Sequence, residues 1–179
     1  HHATAGSNLR MGEFQGAVLA GQLQRFPEQN RIRNENAVAL NAALDEIPGI
    51  RTPVRDPRMD TQGNYCYVVH YDAAQFAGLP LLRFEAALAA EGIPMGVSYP
   101  SLGELEVFTA QRFGPRLRES APTYTPEQLH LPRAEHAAAS TVWLQHRLLL
   151  ADREDVLDVA RAVARIQEHA AAIAASDPS

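Results

Sequence analysis

The sequence predicts an α+β fold in which about three antiparallel strands pack with helices, preceded by a long interrupted helix. Segments with strand-like alternation are short and lie among longer segments with helical periodicity, but the two kinds do not alternate strictly along the chain. The 179 residues, 46% of them hydrophobic and 21% charged, suit one domain with its own core.

The first predicted element is a long helix in two parts. Helical periodicity extends over residues 11–26, Pro27 is expected to interrupt it, and a second part continues to residue 46, before Pro48 and Gly49. The first part has apolar side chains on two opposite sides, so both sides need apolar neighbours. We therefore divide the chain into a linker or loop at 1–10, the interrupted helix at 11–47, which would join a larger domain, and a small α+β domain at 48–179.

Short strands and further helices are predicted after this helix. A strand-like segment at 50–54 precedes three strands at 65–71, 93–98 and 142–144, of which the first has the clearest alternation. Helices are predicted between Leu79 and Gly92, over 133–140, and after Asp152, a favourable N-cap. Residues 99–131 are rich in proline and predict a long irregular segment, with one turn of helix around 107–113.

Composition argues against several classes of partner. The net charge of -5, without a dense cluster of arginines, argues against nucleic acid. No apolar run approaches the length of a membrane span, and the single cysteine excludes an internal disulfide, so we expect a cytoplasmic protein without a membrane partner. The histidines lack the spacing of a metal site, and we expect no metal.

A polar loop that leads into the first helix carries most of the functional information. It has the sequence GSNLRMGEFQGA over residues 6–17 and puts Asn8 and Arg10 at a helix N-terminus, where free N–H groups favour a phosphate or carboxylate. This Gly-x-Asn-x-Arg-Met-x-Glu-x-Gln-x-Ala pattern resembles the start of the C-terminal part of pyridoxal-phosphate-dependent sugar and cyclitol aminotransferases of the DegT/StrS family. The segment VWLQHRLLL at 142–150 is similar to the glutamine:scyllo-inosose and aminoshikimate-type branch.

This resemblance implies the C-terminal domain of a fold-type I aminotransferase. Such an enzyme would be a homodimer that moves an amino group from glutamine or glutamate to a keto-cyclitol or keto-sugar, in antibiotic or amino-sugar biosynthesis. However, all 16 basic residues are arginine. Transaminases hold pyridoxal phosphate as a Schiff base on a lysine amine, so this chain has no catalytic residue of that kind, and we expect a fragment that is inactive alone.

Two other functions are compatible with the same residues. The parent protein could be a dehydratase-like or sensory homologue in which the upstream lysine is replaced. Alternatively, the chain could be a non-catalytic interaction module, in which case a partner or a second copy would have to cover the apolar sides of its first helix.

The loop offers one candidate for the cofactor and one for the substrate. The resemblance implies that Asn8 reaches the cofactor phosphate of the neighbouring subunit, whereas the residues alone favour a helix cap. Arg10 could bind a substrate carboxylate, hydroxyl or phosphate, or could pair with Glu13.

Three further residues are candidates for substrate binding. Tyr99 follows a predicted strand where the family has substrate-lining residues, although a tyrosine there is also an ordinary core or turn residue. Many nucleotide-sugar members continue with Pro-Leu-His, whereas here Ser-Leu-Gly follows Pro100, which argues against a nucleotide-sugar substrate. His146 and Arg147 could face the active site or a dimer contact, with the arginine binding the donor carboxylate, or could form a solvated loop pair.

Overall fold

The structure of the chain is a computed structural model that describes residues 11–105, 108 and 124–176. In this part of the chain the helices are α1 (Glu13–Leu44), α2 (Leu81–Ala90), α3 (Pro126–Leu129), α4 (Pro132–Ser140) and α5 (Arg153–Ala175). The strands are β1 (Ile50–Arg51), β2 (Cys66–Tyr71), β3 (Met95–Val97) and β4 (Thr141–Gln145). Single 3₁₀ turns lie at Ala73–Phe76, Leu102–Glu104 and Leu148–Leu150.

The strands form one antiparallel sheet in the order β1-β2-β4-β3. Cys66 of β2 pairs with Gln145, and Met95 of β3 pairs with Leu144, which puts β4 in the middle. The sheet has four strands rather than about three, because the short segment at Ile50 does pair with β2. This first strand is shorter than predicted because the Thr52 N–H donates to Asp45 Oδ1 at 3.2 Å instead of continuing the ladder.

One face of the sheet carries the core. Tyr67, Val69 and Tyr71 point to this face from β2, since alternate residues of a strand share a side. The second half of α1 packs with α5, and α2 packs with α5 and β3. Their fully or nearly fully buried side chains include Leu40, Leu44, Phe84, Leu88, Val156, Val159, Val163 and Ile166.

Helix α1 is continuous, which contradicts the predicted interruption at Pro27. The ring of Pro27 lies inside the helix. Proline has no N–H to donate to the carbonyl four residues earlier, but its fixed φ is close to the helical value, and the turns on both sides keep their own hydrogen bonds. Pro27 therefore marks a missing hydrogen bond inside the helix and not the end of the helix.

The first half of α1 leaves its apolar side chains exposed. Phe14 is 85% exposed, and the same holds to a lesser degree for Met11, Val18, Leu19, Leu23 and Phe26. The described residues therefore leave these side chains largely uncovered, although Leu19, Leu23 and Phe26 share a groove with Gly63, Tyr65 and His146. Neither α1 nor any other described helix is apolar enough over a sufficient length to cross a membrane.

The remaining predicted elements are found with small shifts of their ends. Gly92, with a φ of 83°, follows α2 as the predicted C-terminal signal. Asp152 is the N-cap residue of α5, although its side chain makes no capping hydrogen bond. The helical turn predicted at 107–113 lies outside the described residues, except for Phe108.

Candidate functional site

The structure separates the predicted site residues. Asn8 and Arg10 lie outside the described residues. Tyr99 follows β3, whereas His146 and Arg147 follow β4. Because β3 and β4 are antiparallel, Tyr99 lies near the start of β4 and His146 lies at its end. The predicted site residues that the structure describes therefore lie in two separate regions of this chain, with Tyr99 at one end of β4 and with His146 and Arg147 at the other.

Tyr99 lies on the outer face of the sheet, away from the core. Its side chain is 82% exposed, and its ring is stacked at 6.4 Å from the indole of Trp143, with an interplanar angle of 24°. The two rings line an apolar pocket of about 110 Å³ with Cys66 and Val68. A Cβ on Gly96 would lie 3.0 Å from Trp143 Nε1, so the glycine is what allows the indole to lie against β3.

His146 lies in a groove of about 370 Å³ between α1 and the sheet. One wall is the middle of α1, with the apolar residues Leu19, Leu23 and Phe26 and the polar residues Gln22, Gln29 and Arg33. The other wall is Gly63, Tyr65 and His146. We call this space the α1 groove. Arg147 is exposed and does not line it.

Tyr65 and His146 form the wall of the α1 groove that faces the helix. Their rings are stacked with centroids 6.1 Å apart and an interplanar angle of 18°. Tyr65 immediately precedes β2, and His146 immediately follows β4. The adjacent pair Cys66 and Gln145 is in register, and this pairing brings the two rings together.

Arg33 is a groove residue that the sequence analysis did not single out. Only 8% of it is exposed, its Nη2 donates to Gln29 Oε1 at 3.4 Å, and its Nε has no hydrogen-bond partner. The sequence did contain a signal, because Arg33 precedes Ala37, Leu40 and Leu44 at the spacing of the buried side of the helix. A charged residue in an apolar stripe is a reason to look for an anion.

A complete cofactor site is not present in these residues. Pyridoxal phosphate requires a lysine amine, and all 16 basic side chains are arginine, so the donor set does not fit the whole group. We assign no catalytic step to this chain for that reason. Among the described residues, no three His, Cys, Asp or Glu side chains are grouped closely enough to hold a metal ion.

Comparison with known proteins decides the family. The family model described as the DegT/DnrJ/EryC1/StrS aminotransferase family matches residues 1–164. The chain belongs to this family. It is 34% identical to the L-glutamine:2-deoxy-scyllo-inosose aminotransferase of Streptoalloteichus tenebrarius, over 92% of this chain and 39% of the relative. The enzyme of the same name from Streptomyces fradiae is 33% identical, over 94% of this chain and 40% of the relative.

The fold agrees with solved members of the aminotransferase class. The crystal structure of 3-amino-5-hydroxybenzoic acid synthase matches with a TM-score of 0.75 and 26% identity, over 93% of this chain and 41% of that chain. The predicted α+β fold, the small domain of a fold-type I aminotransferase, is thereby confirmed. As a member of the DegT/DnrJ/EryC1/StrS family, the chain spans about two fifths of the length of the curated relatives that it matches.

Proposed function

We propose that the chain is the lysine-free portion of an aminotransferase that moves an amino group from glutamine or glutamate to a ketone on a cyclitol or sugar. The observation that carries the proposal is the 34% identity to an L-glutamine:2-deoxy-scyllo-inosose aminotransferase over 92% of this chain. The name of that relative specifies a glutamine donor and a ketocyclitol acceptor. A ketocyclitol is therefore the first acceptor to test, in a biosynthetic route to an antibiotic or amino sugar.

In this proposal the lysine belongs to polypeptide outside these 179 residues, and Asn8 holds the cofactor phosphate of a neighbouring subunit. An asparagine amide donates N–H groups to phosphate oxygens without adding charge. Arg10 follows it closely and would hold an anionic or hydroxyl group of the substrate through its planar guanidinium. A homodimer is part of the proposal, because Asn8 would act on the other subunit.

Tyr99, His146 and Arg147 would make separate substrate contacts. Tyr99 lies at one end of β4, and His146 and Arg147 lie at the other. Arg147 is exposed, so its guanidinium is accessible to the carboxylate of an amino donor. The exposed ring of Tyr99, supported by Trp143, offers an apolar face and a hydroxyl to a cyclitol or sugar.

The test is an amino-transfer assay on the product of the full reading frame that encodes this sequence. With glutamine and 2-deoxy-scyllo-inosose, mass spectrometry should detect the aminated cyclitol, formed faster than an amine on a nucleotide-linked ketosugar. The 179-residue chain alone should give no product, because it has no lysine. A frame that encodes no lysine, together with no amino transfer, would contradict the proposal.

The role of Asn8 has a separate test on the same full product. Asn8→Ala should weaken the binding of pyridoxal phosphate by about tenfold or more, since a hydrogen bond to a charged group is lost. Binding of pyridoxal, which has no phosphate, should not change. Ser7→Ala is the matched control in the same loop, and equal weakening by both substitutions would argue against a specific phosphate contact.

One observation favours an interaction module as the second candidate. The first half of α1 exposes apolar side chains on both sides, with Phe14 85% exposed. A partner could cover them without any catalysis. If the reading frame encodes only this chain or a lysine-free relative of the family, this binding role becomes the better explanation.

A further inference from the structure

Arg33 is a buried cation on the packed side of α1. It shares that side with Ala37, Leu40 and Leu44, which belong to the core, and only 8% of it is exposed. Removing a guanidinium from water is unfavourable unless an anion and hydrogen bonds compensate for the lost hydration. The position therefore requires an explanation that an exposed arginine would not.

No carboxylate among the described residues compensates for this charge. The neighbours one helical turn away are all neutral, namely Gln29, Asn30, Asn36 and Ala37. The guanidinium donates from Nη2 to the Gln29 side-chain amide oxygen at 3.4 Å, and Nε has no partner among the described residues. Arg31 on the same helix shows the contrast, because it is exposed and yet donates to Glu28 at 2.7 Å and to Glu35 at 2.6 Å.

The surroundings of Arg33 in the α1 groove suit an anionic group with an apolar part. The polar residues Gln22, Gln29 and His146 can form further hydrogen bonds, while Leu19, Leu23 and Phe26 supply an apolar wall. The volume of about 370 Å³ lies within the range of small-molecule sites. A few polar groups that converge in an apolar groove are the usual composition of such sites.

We propose that the α1 groove is a carboxylate-binding site with Arg33 as its anchor. A carboxylate accepts two parallel N–H bonds from a guanidinium and neutralises its charge, which is the compensation that Arg33 lacks. The carboxylate comes either from a free organic acid or from an acidic side chain of another polypeptide segment. This inference does not depend on the proposed aminotransferase function.

The first arm of the test uses free acids and the full 179-residue chain. The arginine Nε–H signals in ¹⁵N NMR spectra are followed during titration with glutarate and with the neutral diamide glutaramide. Glutarate should shift the signal of Arg33 saturably and glutaramide should not, because only the first carries a charge. This comparison uses the unmodified chain and does not depend on a variant that folds.

Two variants test whether the binding of glutarate depends on Arg33. Arg33→Met removes the charge and keeps an apolar stem, and it should weaken the binding of glutarate by about tenfold or more. Arg31→Met is the matched control, because it removes an exposed arginine that already has two carboxylate partners. It should leave the binding of glutarate unchanged.

The second arm distinguishes the two sources of the carboxylate. A short capped peptide with one glutamate between leucines is compared with the same peptide in which glutamine replaces the glutamate. A shift of the Arg33 signal with the glutamate peptide alone, and none with glutarate, identifies a side chain of a polypeptide as the ligand. A shift with glutarate identifies a free acid. No Arg33-dependent shift with either probe would overturn the proposal.

Discussion

At the scale of single residues, Tyr67 and Tyr71 bring polar groups into the core. The Tyr67 hydroxyl donates to Asn41 Oδ1 at 2.5 Å, and the Tyr71 hydroxyl donates to the Leu79 carbonyl at 2.7 Å. Burial raises the pKa of both phenols, and the nearby carboxylates Asp45 and Asp72 add to this effect. The folded protein therefore retains two protons that the unfolded chain releases at lower pH.

This difference predicts that the free energy of unfolding falls in alkali. An unfolded tyrosine loses its proton near pH 10, so from about pH 10 upward the unfolded state binds fewer protons than the folded state, and stability decreases. The double variant Tyr67→Phe, Tyr71→Phe should lower the free energy of unfolding by about 1 kcal/mol per hydroxyl at neutral pH. It should also reduce the decrease of this free energy as the pH rises above about 10. Urea unfolding across this range measures both effects.

Tyr65→Phe is the control for the alkaline slope. Its side chain is 82% exposed, and its loss should change neither the stability at neutral pH nor the slope by a measurable amount. An unchanged slope in the double variant would show that other groups cause the alkaline loss.

At the scale of elements, the two halves of α1 differ in what stabilises them. The second half is anchored to the chain before α5, because Asn36 Nδ2 donates to the carbonyls of Leu149 and Ala151, both at 3.0 Å. The first half exposes its apolar side chains, and Pro27 removes one hydrogen bond between the halves. Isolated helices are marginal in water, so the first half should open locally.

Replacing Pro27 by alanine should slow this local opening. The substitution restores the hydrogen bond to the Leu23 carbonyl and removes a penalty of about 3 kcal/mol for proline in a helix interior. Hydrogen exchange of amides 18–26 should slow by at least about tenfold, while amides 36–44 keep their rates, because those require opening of the core.

Gly21→Ala is the matched control in the same half of the helix. A Cβ there meets no atom within 4 Å, so the change acts only on helix propensity, by about 1 kcal/mol. It should slow exchange less than Pro27→Ala does. Equal slowing in both halves of α1 after Pro27→Ala would contradict the division of the helix.

The elements were largely predictable because their signals are local. Alternation at residues 66–71 and the glycine after α2 depend on neighbouring residues, and both are found. Pro27 was misjudged because the cost of a proline can be offset by the hydrogen bonds of long flanking helix. The end of β1 was missed because Asp45, which precedes the strand and accepts the hydrogen bonds of Thr52, is not part of any strand pattern.

The α1 groove was less predictable than the fold. His146 was a candidate, but Tyr65 was only part of the strand predicted at 65–71, and Arg33 was not noted. Their proximity depends on the register of β2 with β4 and on the packing of α1, which no local pattern specifies. The separation of Tyr99 from His146 likewise follows from antiparallel pairing, whereas the order along the chain does not reveal it.

At the scale of the whole molecule, the exposed apolar side chains of α1 form a surface that favours self-association. Phe14 and Val18 lie on one side of the helix and are both more than half exposed. We predict that the 179-residue chain self-associates as its concentration rises, so that its mean mass in sedimentation equilibrium exceeds 19.6 kDa. Phe14→Glu with Val18→Glu should restore the monomer with little change in the free energy of unfolding, since neither side chain is in the core.

Leu82→Glu is the control for this surface. Leu82 is an exposed leucine on α2, and its substitution should leave the self-association unchanged. A monomer at all concentrations in the unmodified chain would show that the exposed side chains of α1 do not drive association.

The position of Trp143 has a practical consequence. It is the only tryptophan in the sequence, it is stacked on Tyr99, and it lies against Gly96. The molecule thus carries its one indole fluorophore beside Tyr99, whereas the aromatic side chains of the α1 groove are Phe26, Tyr65 and His146. A ligand that disturbs Tyr99 should change the fluorescence of Trp143 directly, whereas a ligand confined to the α1 groove should leave it unchanged. A single measurement of tryptophan fluorescence therefore distinguishes binding at the two regions.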